Sequence, residues 1–249
     1  AQKNSAVPSD ALASNPDKNA YFGDLHIHTK NSFDAYIFNI RVTPDDAYKF
    51  GRGAPITHPL GYEIQLDGPP LDFMAVTDHI EYMGILPEMN REGSPLSKLD
   101  MAKDMFSTDP AKIINAFGLI GGSIRNGKKI DAAYKQEIID TVWGQSVSAA
   151  DKYNVPGTFT TFAGYEYTAV KASGIPGEDF AGGNLHRNVI FKDAAPAQGF
   201  GTLQSNNPED LWVWLDAQRE AGIEAMAIPH NSNVSNGEMF ALQTYDGLP

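Results

Sequence analysis

The chain has 249 residues, of which 42% are hydrophobic and 20% charged, and its formal net charge is −12. This composition is typical of a globular protein with a substantial core, and the negative charge argues against binding to a nucleic-acid backbone. The sequence contains no cysteine, which excludes disulfides and thiolate metal sites, so any metal must be held by nitrogen and oxygen ligands. No apolar run approaches the ~20 residues needed to span a bilayer, so we expect no membrane partner.

The amino-terminal residues 1–19 are polar, small and interrupted by proline. They predict a flexible lead-in before a single domain over residues 20–249. The chain starts at Ala1 rather than at a methionine. A removed secretory signal would leave such a start, and so would an artificial chain boundary; on this basis we expect a periplasmic or secreted protein.

The first predicted strand runs from Tyr21 to Thr29 and carries two histidines near its end. Side chains alternate along a strand, so His26 and His28 face one side while Leu25 and Ile27 pack on the other. Two imidazoles directed at one spot are suited to binding a transition-metal ion. An isolated His-x-His is more often a pair of ordinary polar residues, so the assignment depends on the rest of the chain.

The middle of the chain predicts one buried strand and a long helical region. A helix starts at Thr43-Pro44, and a loop rich in glycine and proline follows, in which we interpret His58 as a solvated residue. The apolar run Leu71–Thr77 predicts a buried strand that delivers Asp78 and His79 at its end. Residues 89–154 contain no histidine and predict a helical insertion or lid whose role is packing.

The carboxyl-terminal part predicts three more strands and one helix. The first of these strands has Glu166 near its end, the second begins at His186, and the third is followed by His230. Trp212 and Trp214 lie on the helix, where core packing is the expected role. Strands that alternate with helices indicate a parallel α/β arrangement of about five strands. The three strands are predicted over residues 158–167, 184–191 and 223–228.

Potential metal ligands recur at the ends of four of the five predicted strands. The carboxyl ends of strands in α/β folds are where side chains from different strands meet on rigid supports. One histidine at such a place is unremarkable, but the repetition favours a common metal site. The residues are His26, His28, Asp78, His79, Glu166 and His230, while His186 opens its strand instead.

The order of these motifs resembles the PHP (polymerase and histidinol phosphatase) superfamily, in particular its branch DUF3604. The resemblance extends from Tyr21 to about Asn231 and implies a distorted (β/α)7 barrel with two or three divalent metal ions at its mouth, either manganese, zinc or iron. About five strands cannot close such a barrel, and an open edge is an aggregation hazard. We therefore expect the barrel to be incomplete here and a carboxyl-terminal segment of the same protein to be missing or separate. The motifs that match are His26-Ile27-His28 followed by Ser32 and Asp34, Thr77-Asp78-His79, Gly164-Tyr165-Glu166-Tyr167, His186, and Pro229-His230-Asn231.

The resemblance also implies a role for each matching residue. Glu166 would bridge two metals, and together with His79 it would act in catalysis through a metal-activated hydroxide. Two features depart from the family pattern: Phe33 interrupts the usual Ser-Asp pair, and no late Asp-x-His follows His230. The implied ligands are His26 and His28 for the first metal, Glu166 with His186 and His230 for the second, and Asp34 with His79 for a third.

Several neighbours of these ligands are further candidates. Asp24 would either orient a ligand imidazole or cap a local turn, and Asp78 presents the same alternatives. Arg187, Asn188 and Asn231 are candidates for substrate binding, although neighbours on a strand face opposite ways, which favours the two asparagines over Arg187.

The predicted function is that of a metal-dependent phosphoesterase acting on a small phosphate mono- or diester. The same activated hydroxide would also attack a lactone, an amide or a sulfate ester, which is the second hypothesis. The third is a non-catalytic, metal-stabilised domain that binds a ligand or partner; open metal positions would separate it from the enzymes, since structural metals have closed shells. In a chain this acidic, the metals would supply the positive charge that a small anionic substrate needs.

Overall fold

The computed structural model describes residue 16 and residues 18–171 and 182–248. Most of the predicted lead-in over residues 1–19 therefore lies outside the described residues. The described residues form a mixed α/β protein with one five-stranded sheet and two small two-stranded ribbons. The strands are β1 (Gly23–Ile27), β2 (Ile56–Thr57), β3 (Glu63–Ile64), β4 (Phe73–Val76), β5 (Thr160–Tyr167), β6 (Val170–Lys171), β7 (Gly183–Asn184), β8 (Arg187–Phe191) and β9 (Ala225–Pro229).

Three helices begin at capping residues that the sequence contains, namely Thr43, Asp109 and Asn207. Thr43 and Asp46 form a reciprocal capping box at the start of one helix, and Asn207 accepts a hydrogen bond from the backbone N–H of Glu209 at the start of another. None of the described helices is long and apolar enough to cross a membrane. The helices are α1 (Phe33–Ile37), α2 (Pro44–Gly51), α3 (Ile85–Asn90), α4 (Asp100–Met105), α5 (Pro110–Arg125), α6 (Gln136–Tyr153) and α7 (Pro208–Glu220), with short 3-10 helices at Pro95–Lys98, Ser232–Val234 and Glu238–Phe240.

The five-stranded sheet has the order β1-β4-β5-β8-β9. Strands β1, β4 and β5 are parallel, whereas β8 is antiparallel to both β5 and β9. The prediction of a parallel sheet is therefore wrong for β8, which runs opposite to the other four strands of the sheet. As a result, the carboxyl ends of β1, β4, β5 and β9 lie at the same edge as the amino end of β8.

The sheet is strongly curled but is not a closed barrel. In a flat sheet, β1 and β8 would lie about 14 Å apart, since three strand spacings separate them. Instead the Asn188 side-chain amide on β8 donates to the Leu25 carbonyl on β1 at 2.8 Å. No pairing between β1 and β9 closes the sheet within the described residues. The predicted count of about five strands is thus confirmed for this sheet, while the predicted (β/α)7 barrel form is not observed.

The two faces of the sheet have different surroundings. Tyr165 and Tyr167 of β5 are fully buried in the main hydrophobic core, which includes Trp143 of α6 and Leu211 of α7. Because side chains alternate along the strand, Glu166 lies on the opposite, concave face. The helices therefore cover the convex face, and the concave face holds the polar residues described next.

Candidate metal centre

Glu166 is the residue around which the other site residues are arranged. Its side chain is 1% exposed, and it lies next to the last residue of β5. Both carboxylate oxygens contact imidazole nitrogens from other parts of the chain, at distances that range from hydrogen bonds to a loose contact. Oε2 lies 2.8 Å from His28 Nε2, 3.2 Å from His26 Nε2 and 3.7 Å from His79 Nδ1, and Oε1 lies 2.6 Å from His186 Nδ1 and 3.0 Å from His230 Nε2.

Strand direction explains why these residues meet. His26 and His28 lie at the carboxyl end of β1, His79 follows β4, and His230 follows β9. His186 immediately precedes β8, and it reaches the same edge because β8 runs in the opposite direction. The curl of the sheet then brings its two outer strands together, since the rings of His26 and His230 lie 4.0 Å apart.

Asp34 forms a second acidic position beside the first. Its two oxygens lie 3.2 Å from His28 Nδ1, and Oδ2 lies 3.5 Å from His79 Nε2. The Ser32 hydroxyl donates to the Asp34 carboxylate at 2.6 Å. Phe33 stacks on the His79 ring at 4.8 Å, so the residue inserted between Ser32 and Asp34 packs against the site and leaves Asp34 in contact with it.

Three combinations of these residues have geometry that could hold a metal ion. Within each combination, one ligand atom per residue lies within 4.8 Å of the others. Three of the seven predicted ligands occur in two combinations each, so the potential sites adjoin one another. The combinations are His26, His28 and Glu166; His28, Asp34 and His79; and His79, Glu166 and His186.

The electrostatics reflect the crowding of imidazoles around two carboxylates. Burial alone would raise the pKa of Glu166 and of Asp34, but the surrounding histidines hold both far below the ordinary range. Burial alone would lower the pKa of His28, but hydrogen bonds to Asp34 and Glu166 raise it to about 10. Burial lowers the pKa of His186, despite its bond to Glu166. Without a cation, the cluster therefore keeps its acids ionised and holds a proton on His28.

The site is open to solvent on one side. The side chain of His26 is 42% exposed and that of Asp34 is 33% exposed, whereas His186 and His230 are 15% and 14% exposed. A small molecule can therefore approach the cluster from the side of His26 and Asp34.

The two predicted supporting aspartates contact backbone near the ligands. The Asp24 carboxylate accepts a hydrogen bond from the backbone N–H of His26 at 2.9 Å. It therefore stabilises the backbone of β1 and does not contact an imidazole. Asp78 is 1% exposed and accepts from the Thr29 backbone N–H and, at 2.7 Å, from the Thr29 hydroxyl. Burial raises the pKa of Asp78 to about 6.

The three predicted substrate-binding residues lie in different places. The Arg187 guanidinium contacts the Leu185 carbonyl at 3.0 Å and lies 4.7 Å from the Trp212 ring, so it lies on the other side of the sheet from the histidines, and its role in substrate binding stays a prediction. The alternation of side chains in β8 explains this placement. Asn188 lies opposite Glu166 in the β5–β8 register and is 3% exposed, so it lies beneath the cluster. Asn231 directly follows His230 at the rim.

The remaining histidine and the two tryptophans lie outside the cluster. His58 lies in the turn between β2 and β3, where its ring stacks on Tyr62 at 4.4 Å. Trp214 packs beside Phe191 and Phe200, as expected for a core residue, but Trp212 is 39% exposed and covers Arg187.

Two buried polar residues in contact with the site were missed by the sequence analysis. Thr168 Oγ1 lies 2.7 Å from His79 Nδ1, and the Thr168 hydroxyl donates to Glu81. Each lies two residues beyond a predicted ligand, Glu81 after His79 and Thr168 after Glu166. In extended chain that spacing places side chains on one face, which could have identified Thr168 just after β5, whereas Glu81 lies in a turn, where the spacing gives no such indication.

The fold and the site together define a mixed α/β protein with a histidine-rich candidate metal centre. The model of the family described as Protein of unknown function (DUF3604) matches residues 15–249, and the chain belongs to this family. That membership confirms the predicted branch, whereas the resemblance to the wider PHP superfamily stays a prediction. No curated protein and no solved structure shows significant similarity to the chain.

Proposed function

We propose that this protein is a metal-dependent hydrolase whose substrate is a small phosphate mono- or diester. The observation that carries the proposal is the environment of Glu166, whose carboxylate has four imidazole nitrogens within 3.2 Å. Imidazole and carboxylate are the ligands by which manganese, zinc and iron are bound in a protein without cysteine. The resemblance to the PHP superfamily supports the same chemistry.

The donor set of the cluster is suited to a divalent cation as well as to protons. If hydrogen bonds alone held the cluster, each of these four contacts would need its own N–H on the imidazole. His28 would then carry protons on both nitrogens, since Nε2 faces Glu166 and Nδ1 faces Asp34. A divalent cation accepts several nitrogen lone pairs at one point, which removes this requirement.

Each part of the cluster has a role in this proposal. His26, His28 and Glu166 form one ligand group, and Glu166 also joins His186 and His230 because its two oxygens face different histidines. A bound divalent cation lowers the pKa of its water and neutralises charge on an anionic substrate. The open side near His26 admits the substrate, and we propose that Asn231 at the rim donates a hydrogen bond to it.

The decisive test combines metal binding with turnover. Metal-depleted protein is titrated with manganese, zinc or ferrous ion by calorimetry, and the loaded protein is assayed with nitrophenyl phosphate mono- and diesters. We expect at least one tightly bound cation and metal-dependent release of nitrophenol. His28→Ala should abolish both, whereas His58→Ala, a substitution of the same type outside the cluster, should leave both unchanged.

The possible failures have distinct meanings. Tight metal binding without turnover of either ester overturns the phosphoesterase, and assays with a lactone, an amide and a sulfate ester then test the second hypothesis. The relaxation rate of bulk water protons in the presence of bound manganese shows whether the ion has an exchangeable water ligand. A bound ion without such a water supports a non-catalytic site. Failure of every cation to bind overturns the metal centre itself.

The predicted further segment of the same protein and the predicted periplasmic or secreted location belong to this proposal. Among the described residues, β1 and β9 each pair on one side only, and Met226 of β9 is 57% exposed, which supports an additional segment at this edge. Co-expression with the sequence encoded downstream should raise the metal affinity; unchanged affinity and no co-purification would contradict the segment. Cell fractionation tests the location.

A further inference from the structure

A buried chain of polar groups leads away from the candidate metal centre behind His79. His79 Nδ1 lies 2.7 Å from Thr168 Oγ1, and Thr168 Oγ1 lies 2.5 Å from Glu81 Oε2. All three residues are at most 5% exposed. They are not separated by solvent, so the direction of each hydrogen bond is fixed by the groups themselves.

The proton positions follow from the carboxylate at the far end. Glu81 Oε1 accepts from the backbone N–H of Thr202 at 2.6 Å and from that of Thr168 at 3.4 Å. A carboxylate only accepts, so the Thr168 hydroxyl donates its one proton to Glu81 Oε2. The hydroxyl oxygen must then accept from His79, which places a proton on His79 Nδ1 and leaves Nε2 as the nitrogen that a cation could bind.

The surrounding backbone holds Glu81 in this position. A Cβ at Gly201 would lie 2.8 Å from Glu81 Oε1 and 2.6 Å from a side-chain carbon of Ile80. Only glycine lets this loop approach closely enough for the Thr202 N–H to reach the carboxylate. The carboxylate is therefore bound by backbone on one side and by Thr168 on the other.

His79 has two possible roles in the cluster, and its two nitrogens distinguish them. Nε2 faces Asp34 at 3.5 Å, in the group with His28. Nδ1 faces Glu166 at 3.7 Å, in the group with His186. A protonated nitrogen cannot bind a metal, so the proton on Nδ1 excludes the second role.

We propose that Glu81 and Thr168 are positioning residues that set the tautomer of His79 and thereby assign it to the Asp34 side of the metal centre. The assignment of His79 to one side of the metal centre rests on the proposed metal-dependent function, whereas the tautomer of His79 is a property of the metal-free chain. Thr168 and Glu81 touch neither metal nor substrate in this scheme. They act through the one ligand whose two nitrogens face different groups.

The substitution Glu81→Gln tests the proposal because it reverses the chain of hydrogen bonds without changing its shape. The two backbone N–H groups require an oxygen opposite them, so the amide nitrogen of the glutamine turns toward Thr168. Thr168 then accepts from the amide and donates its proton to His79 Nδ1. His79 Nδ1 loses its proton, and Nε2 becomes the protonated nitrogen.

The primary readout is nitrogen-15 NMR of histidine-labelled, metal-depleted protein, with the signals of His79 assigned by His79→Gln. We expect a proton on His79 Nδ1 in the original protein and none in Glu81→Gln. Thr168→Ser should keep the original pattern, while Thr168→Val, which has no acceptor, should abolish the preference. A proton on Nδ1 in both the original protein and Glu81→Gln, with Thr168→Val unchanged, overturns the proposal.

Metal titration gives the second readout and separates this inference from the proposed function. We expect Glu81→Gln to weaken one class of cation site by about 10–100-fold, as for other residues that orient a ligand imidazole, and Thr168→Ser to leave it within a few-fold. If the original protein binds no cation, the proposed function fails while the NMR result still decides the role of Glu81. If Glu81→Gln does not fold, the comparison of Thr168→Val with Thr168→Ser decides it.

Discussion

The substitution Glu166→Gln tests the centre of the candidate site most directly. It keeps the shape of the side chain but replaces one carboxylate oxygen by an NH2 group that cannot bind a cation. Because Oε1 and Oε2 each contact two imidazoles within 3.2 Å, either orientation of the amide disrupts one side of the cluster. We expect the loss of metal affinity to exceed the 10–100-fold typical of residues that only orient a ligand.

The size of the effect follows from mass action. A cation at 100 times its dissociation constant stabilises the folded state by about 2.7 kcal/mol. For a chain of 249 residues, this corresponds to a rise in melting temperature of about 5–11 °C. If Glu166→Gln weakens binding 100-fold, the same cation concentration only equals the dissociation constant, and the gain falls to about 0.4 kcal/mol, or about 1–2 °C.

Thermal unfolding of metal-depleted protein, followed by circular dichroism with and without the cation, measures both values. Glu224→Gln is the matched control, because Glu224 is 70% exposed and pairs with Lys192 far from the histidines; its metal-induced shift should equal that of the original protein. A full shift in Glu166→Gln would refute the assignment of this carboxylate as a metal ligand.

Three further predictions concern protonation, packing and the rim of the site. Burial alone would lower the pKa of His28, but hydrogen bonds to Asp34 and Glu166 raise it to about 10. At pH 7.5 a cation must therefore displace a proton from His28, and the affinity for the cation should rise with pH up to about 10. Calorimetry in buffers of different ionisation enthalpy should show the release of this proton, and identical apparent enthalpies would contradict it. Gly84→Ala places a Cβ 2.5 Å from Val142 at a φ of +74°, whereas Gly93→Ala has a similar φ of +80° and no neighbour within 4 Å. The free energy of unfolding in urea should therefore fall by about 1–3 kcal/mol more for Gly84→Ala than for Gly93→Ala. Equal losses would show that α6 moves to accommodate the added methyl group. Asn231→Ala should raise KM for the phosphate ester without changing metal affinity, and an unchanged KM would remove Asn231 from the substrate site.

The sequence predicted which histidines and acids come together better than it predicted how they meet. His26, His28, His79 and His230 follow strands that run the same way, so the rule about strand ends sufficed for them. His186 did not fit the rule, because all five residues of β8 are buried, the polar Arg187 and Asn188 included, and the strand shows no alternation of buried and exposed positions. Such a pattern does not reveal strand direction. The helix α7 between β8 and β9 suggested a parallel crossover, and the structure has an antiparallel pair instead.

The curl of the sheet is the feature that no local pattern could supply, and the candidate site depends on it. Four strand spacings separate β1 from β9 in the sheet order, which is about 19 Å in a flat sheet, yet the His26 and His230 rings lie 4.0 Å apart. Curvature accumulates from twist and irregular pairing, such as the register shift between Asp24 and Ile27 in β1. Asn188 then fixes the result by its bond to the Leu25 carbonyl. A residue predicted to bind substrate thus connects two of the strands that position the clustered histidines and Glu166, and the geometry of the candidate centre is a property of the whole sheet rather than of any one motif.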